Sequence, residues 1–168
     1  MISPSKIASA TRPAQQAPLR ELQWRRLRGY AFDPGLSQQF ETAGMNEIVF
    51  RVPWEPLGRG PVGEYVAVVD YDPASAAFYD PVDLEDAFLI GGDGLEPDEG
   101  NPKFHQQFVY TVAMTTIRNF EKALGRRVLW IARDEKRARG NWDFFVPQLR
   151  IYPHAFRGAN AYYSPAKK

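Results

Sequence analysis

The stretch from about Lys103 to Leu124 constrains this chain more than any other. Phe104, Phe108, Val112, Thr116, Phe120 and Leu124 fall at intervals of four, with Val109, Ala113 and Ile117 beside them. Apolar residues at that spacing predict an amphipathic helix. Pro102 suits its first position, where a missing N–H costs nothing, and Gly125 suits the left-handed residue past its end. A stripe this broad is expected to face a core, so the rest of the chain must supply the surface it covers.

Strand signals lie on both sides of that helix. Asn46 to Trp54 alternates loosely, with Pro53 pushing its end toward an edge, and Gly63 to Tyr71 is the strongest β-branched run. Asp72-Pro73-Ala74-Ser75 predicts a turn, with Ala76 to Tyr79 returning as the second arm of a hairpin. Val82 to Ile90 reads as a helical turn followed by a short extended run, and Gly91 to Pro102 as an acidic loop. Val128 to Ala132 and Phe144 to Tyr152, the latter interrupted by Pro147, are further strand candidates around a charged loop from Arg133 to Asn141. Leu22, Trp24, Leu27 and Tyr30, set among Arg25, Arg26 and Arg28, fit either a short helix or an extended arm, and Asp33-Pro34-Gly35 reads as a turn. Strands, one long helix and more strands predict an α+β domain over residues 21–168. Its sheet is expected to be mixed or antiparallel, with the helix packed on it. Residues 1–20, rich in Ala, Ser, Pro and Gln and free of acids, are expected to be disordered.

Composition narrows the function classes. Twenty-one basic residues stand against 20 acidic ones, so no global field draws the chain to nucleic acid or anionic lipid. The absence of cysteine rules out disulfides and thiolate metal sites. No apolar run approaches a membrane span, and the first twenty residues carry no apolar signal core, so a cytoplasmic location is expected.

Motifs for catalysis are missing. Zinc hydrolysis on a helix needs two histidines four apart with a glutamate after the first, but four residues after His105 stands Val109. The only other histidine is His154, so a site using both with a carboxylate would have to be assembled in space. His105, beside Gln106 and Gln107, reads as an ordinary polar residue at a helix start. Gly91-Gly92-Asp93-Gly94 lacks the Lys-Ser/Thr of a phosphate loop and precedes Glu96, Asp98 and Glu99, which predicts a solvated turn. No alternating calcium-ligand pattern accompanies those acids. Arg133, Lys136, Arg137 and Arg139 are broken by Asp134 and Glu135, a solvated loop rather than an RNA contact. No Gly-x-Ser-x-Gly occurs either. Neither catalytic residues nor metal ligands are expected in this chain.

Two segments carry a resemblance. Phe104 to Arg126 (FHQQFVYTVAMTTIRNFEKALGR) resembles the long helix in the N-terminal half of thermolysin-like (gluzincin) metallopeptidases and of bacterial proteins related to them. Arg150 to Pro165 (RIYPHAFRGANAYYSP) is similar to the segment those proteins carry shortly before their zinc helix. There a histidine is followed by a short link and Asn-Ala-aromatic-aromatic, matched here by His154 and then Asn160, Ala161, Tyr162 and Tyr163. The link is one residue shorter than in thermolysin itself. The strand Gly63 to Tyr71, ending Asp70-Tyr71-Asp72-Pro73, is compatible with the family's N-terminal sheet. The resemblance covers most of the chain after about residue 45, and its specific part is the last segment.

This resemblance implies a substrate-binding role for Asn160, Ala161 and Tyr162 on an edge strand that pairs with a peptide backbone, with one of Tyr162 and Tyr163 packed inward. The family's zinc ligands and general base would follow Lys168, so zinc is expected only in that missing part, and no cofactor in this chain. The expected function is a substrate-aligning N-terminal lobe, truncated or separately encoded and not proteolytic alone. Its expected partners are a C-terminal peptidase lobe, in cis or trans, and a peptide or protein ligand. The alternative is a non-catalytic protein or peptide interaction module. A separated lobe is expected to expose apolar surface and self-associate.

Overall fold

The computed structural model describes residues 23–33, 35, 45–131, 145–146, 148–156, 158 and 160–163. The expected disordered lead-in and the charged loop from Arg133 to Asn141 lie outside them.

The arginine-rich arm is a strand. β1, Trp24–Tyr30, pairs antiparallel with β2, Glu47–Pro53, in a register running from Trp24 opposite Pro53 to Tyr30 opposite Glu47. Strand periodicity puts Trp24 and Arg26 outward and Arg25, Leu27 and Gly29 inward. Gly29 is needed there, since a Cβ would come within 2.6 Å of the Phe108 ring.

α1, Ala87–Gly91, is a single turn started by Asp86, whose carboxylate accepts from the amides of Phe88 and Leu89. It follows a turn at Leu84 and Glu85, so the helical turn ends the segment from Val82 to Ile90, where the sequence placed it first. α2, Pro102–Leu124, has the expected bounds. Asn101 caps it by accepting from the Lys103 amide at 3.0 Å, Pro102 opens it, and Gly125 closes it in the left-handed region at φ +65°.

Its buried face differs from the expected stripe. Phe104, Gln106, Gln107, Tyr110, Thr111, Met114 and Ile117 are buried, whereas Val112, Phe120 and Leu124 are 43%, 59% and 52% exposed. A step of four residues overshoots one helical turn by about 40°. A row of fours therefore winds from the core at Phe104 to solvent at Phe120.

The predicted strand from Gly63 to Tyr71 contracts to β3, Val66–Val68. The Gly63 amide donates to the Val66 carbonyl and the Val68 amide to the Pro61 carbonyl, which folds the preceding residues back onto β3. Beyond it, β4, Tyr71–Asp72, and β5, Ala77–Phe78, form the expected hairpin. Asp72 holds the turn, accepting from the Ala74 amide and the Ser75 hydroxyl. β6, Trp130–Ile131, pairs antiparallel with β7, Phe145–Val146. β8, Leu149–Ile151, pairs parallel with β3, Val66 opposite Leu149 and Val68 opposite Ile151.

The arrangement is an α+β fold with both antiparallel and parallel pairing and one long helix against β1, β2 and β3. Leu27, Val52, Val66, Val68, Leu84, Tyr110, Met114 and Ile117 make the core between them. Burying an aliphatic side chain of this size stabilises by about 2 kcal/mol. Among the described residues no helix is long and apolar enough to cross a membrane.

Candidate functional site

Parallel pairing of β3 and β8 carries the chain past both strands at the same end of the sheet. Asp70 leaves β3 there, His154 leaves β8, and the first turn of α2 presents His105 and Gln106 to both. The carboxylate of Asp70, with the whole residue 6% exposed, accepts from Gln106 Nε2 at 2.9 Å on one oxygen. Its other oxygen is 2.6 Å from His154 Nδ1. A carboxylate only accepts, so Nδ1 of His154 carries a proton and Nε2 is the free acceptor in the neutral ring. That Nε2 lies 2.9 Å from Nδ1 of His105, which donates to it. Asp70, His154 and His105 thus form one continuous hydrogen-bonded chain.

The surroundings hold this chain in place. Tyr79 lies against the His154 ring at 4.9 Å between centroids, and its amide donates to the Asp70 carbonyl. Gln106 also accepts from the Val82 amide at 2.8 Å and donates to the Asp80 carbonyl at 3.2 Å. Burial lowers the affinity of His105 for a proton, and His154 beside it lowers it further. The Glu99 backbone and the charges of Asp70 and Asp98 act weakly in the opposite direction.

The sequence favoured ordinary hydrogen-bonding histidines over a site that joins both with a carboxylate in space. They are hydrogen-bonding residues, but each bonds the other, and a carboxylate joins them. Nothing in their spacing shows this, because the contact depends on a parallel strand pair between distant segments. Among the described residues no group of three or more histidines, cysteines or carboxylates is arranged to hold a metal ion.

The segment expected to align substrate begins six residues past His154. Asn160, Ala161, Tyr162 and Tyr163 are exposed and belong to no strand. Tyr162 rests on Phe156, with ring centroids 5.6 Å apart. The expected inward packing of one tyrosine is not found, since Tyr162 and Tyr163 are 62% and 63% exposed. Without a neighbouring strand nothing imposes the alternation of sides that a ladder would. Phe78, Tyr152 and Phe156 are also exposed.

Two further polar assemblies are structural. Arg25, 3% exposed, donates to Glu85 and to the carbonyls of Leu84 and Glu55, and its guanidinium stacks over Trp54. Glu55 in turn accepts from the Tyr110 hydroxyl and the Glu64 amide, both at 2.6 Å. The glycine loop read as a solvated turn is docked instead. Gly94 is buried at φ +83°, and a Cβ on it would come within 2.6 Å of Gln107 Oε1. The Arg28 amide donates to the Asp93 carbonyl at 2.7 Å.

Comparison with models of protein families, with curated proteins and with solved structures finds no match.

Proposed function

We propose that this chain is the substrate-aligning, N-terminal lobe of a thermolysin-like metallopeptidase relative. It acts with a zinc-bearing lobe supplied in cis or trans and does not cleave peptides alone. The observation that carries this reading is the run of exposed residues 160–163, which belongs to no strand and follows closely on the anchored His154. Amides and carbonyls outside a ladder are what capture of a peptide by strand addition requires. The motif His154…Asn160-Ala161-Tyr162-Tyr163 supports the same assignment by its likeness to the family's peptide-binding segment. The ligand is an extended peptide or protein segment, met in the cytoplasm.

A non-catalytic interaction module is the second reading, favoured by the exposed side chains of Phe78, Tyr152, Phe156 and Tyr162. One experiment separates the two. A fluorescein-labelled, unstructured decapeptide rich in leucine and phenylalanine is titrated against the full chain and two variants. Strand addition predicts that Ala161→Pro, which deletes a backbone donor, weakens binding at least tenfold, while Phe156→Ser changes it little. The reverse pattern supports the module. Absence of peptide binding by the folded wild type removes the aligning role.

A further inference from the structure

We infer that Asp70, His154 and His105 form an acid-opened latch, in which the chain of bonds accepts one added proton but not two. Acidification then parts His105 from His154 and frees the segment after β8 from helix α2. The inference concerns how that segment is held and does not depend on what it binds.

Proton accounting carries it. In the neutral state His154 Nδ1–H donates to Asp70, and His105 Nδ1–H donates to His154 Nε2. One nitrogen, Nε2 of His105, is left to take a first proton. That proton keeps both bonds and turns the contact between the rings into a charge-assisted one. On the two rings a second proton has nowhere to go but Nε2 of His154, the atom that accepts from His105. Its arrival removes the acceptor and sets two imidazolium rings against each other across 2.9 Å. The contact cannot survive this.

The groups facing the pair set the order of events. Asp70 lies directly on His154, and Asp98 and the Glu99 carbonyl act on His105. Burial and His154 make His105 a weaker base than a free imidazole, and this negative charge and dipole offset that only in part. Tyr79 covers the His154 ring with an aromatic face, and Gln106, which holds the far oxygen of Asp70, is uncharged. Of these groups only Asp70 gains from the second proton, by pairing with the His154 imidazolium, and it ties His154 to the end of β3 while doing nothing for the contact with His105.

The ring geometry argues against a metal ion as the natural occupant. The imidazole centroids are 5.1 Å apart while the facing nitrogens are 2.9 Å apart, so the rings meet nearly end to end. Zinc lies about 2.0–2.1 Å from each imidazole nitrogen. Tetrahedral bonds of that length set two ligating nitrogens about 3.3 Å apart, so an ion would have to part the rings and turn them. A proton fits without movement.

The hold on the segment is otherwise slender. β8 contributes three residues of parallel pairing, with the Leu149 amide donating to the Tyr65 carbonyl and the Val69 amide to the Ile151 carbonyl. Past Ile151 the described side-chain bonds to the rest of the fold are those of His154.

Hydrogen exchange on the full chain tests the latch, with rates corrected for the intrinsic pH dependence of amide chemistry. Between pH 7 and pH 5, protection of the Leu149 and Val69 amides is expected to fall at least tenfold, while Tyr110 to Ile117 in α2 keep theirs. His105→Gln retains a donor to His154 but takes no proton, so it is expected to abolish the fall. Unchanged protection in the wild type, an equal fall in the variant, or a parallel loss in α2 would overturn the latch. Imidazole nitrogen shifts of the wild type give a second readout that needs no variant. Uptake of the second proton must coincide with loss of Leu149 protection, and uptake with protection retained overturns the inference. Micromolar zinc that raises Leu149 protection at pH 7 and moves both histidine signals would reassign the pair as a metal site.

Discussion

Gln106 and Gln107 are neighbours on α2, both fully buried, and their amides join different parts of the chain to the helix. Gln106 gathers Asp70, Asp80 and Val82. Gln107 accepts from the Leu95 amide and donates to the carbonyls of Arg28 and Leu95. Between them they fix the carboxylate of the candidate site on one side and the glycine loop on the other.

Replacing Gln106 with leucine keeps the volume but leaves the Val82 amide and an Asp70 oxygen without their partner. An orphaned buried polar group costs about 1–3 kcal/mol, more where it is charged. Gln106→Leu is expected to lose about 3 kcal/mol in urea unfolding with an unchanged slope. A midpoint like that of the wild type would mean that solvent replaces these bonds.

The glycine loop makes a contrasting pair of predictions. Gly94→Ala meets both a positive φ and Gln107, and is expected to cost about 2 kcal/mol. Gly91→Ala has nothing within 4 Å of the new methyl. It is expected to be neutral or stabilising by up to about 1 kcal/mol through the unfolded chain. Thermal melts of the two variants should separate in opposite directions.

Tyr110 predicts an alkaline limit. Burial, and then its hydrogen bond to Glu55, push the phenol far above its ordinary value of 10.0. The unfolded chain gives up this proton first, so the stability it contributes is full below pH 10 and drains away as the pH rises beyond it. Tyr110→Phe is expected to lose about 1–2 kcal/mol at pH 7, because Glu55 loses a donor. Its stability should then fall less steeply above pH 10 than that of the wild type. Parallel alkaline slopes in urea titrations would contradict this.

Acid stability has its own signature. His105 is held below the ordinary imidazole range, so the unfolded chain binds that proton more readily than the folded one. The sign is therefore a loss of stability as the pH falls through about 6.5. His105→Gln is expected to flatten that part of the curve in urea titrations from pH 8 to pH 5.

The outer face of α2 concerns association rather than stability. Phe120 and Leu124 are exposed, so the double substitution Phe120→Glu with Leu124→Glu is expected to change stability by less than about 0.5 kcal/mol. In sedimentation the wild type is expected to self-associate through apolar surface of this kind, and the double variant to shift toward monomer. An unaltered distribution would place the contact elsewhere.

The helix was legible because its signals are local: Pro102 and Gly125 mark its ends whatever it packs against. Its buried face was not, because Gln106, Gln107 and Thr111 occupy interior positions that a polarity pattern assigns to solvent. Thr111 bonds back to the Gln107 carbonyl one turn earlier, while the interior role of the two glutamines depends on partners outside the helix. β1 was ambiguous for a similar reason, since its inward residue Arg25 is charged and is held by Glu85 and two carbonyls. The hairpin at Asp72 was legible through its turn chemistry. The chain from Asp70 to His105 was hidden, because it exists only once β8 lies parallel to β3.

During synthesis that ordering becomes a matter of time. Asp70 leaves the ribosome 84 residues ahead of His154, and Gln106 emerges between them. The nascent sheet can therefore settle its buried carboxylate on the helix before its last strand exists. Closing so long a loop is the slow step for a fold of this kind. The piece that carries the candidate peptide-binding residues is then the last to join and, by the same weakness, the first to leave.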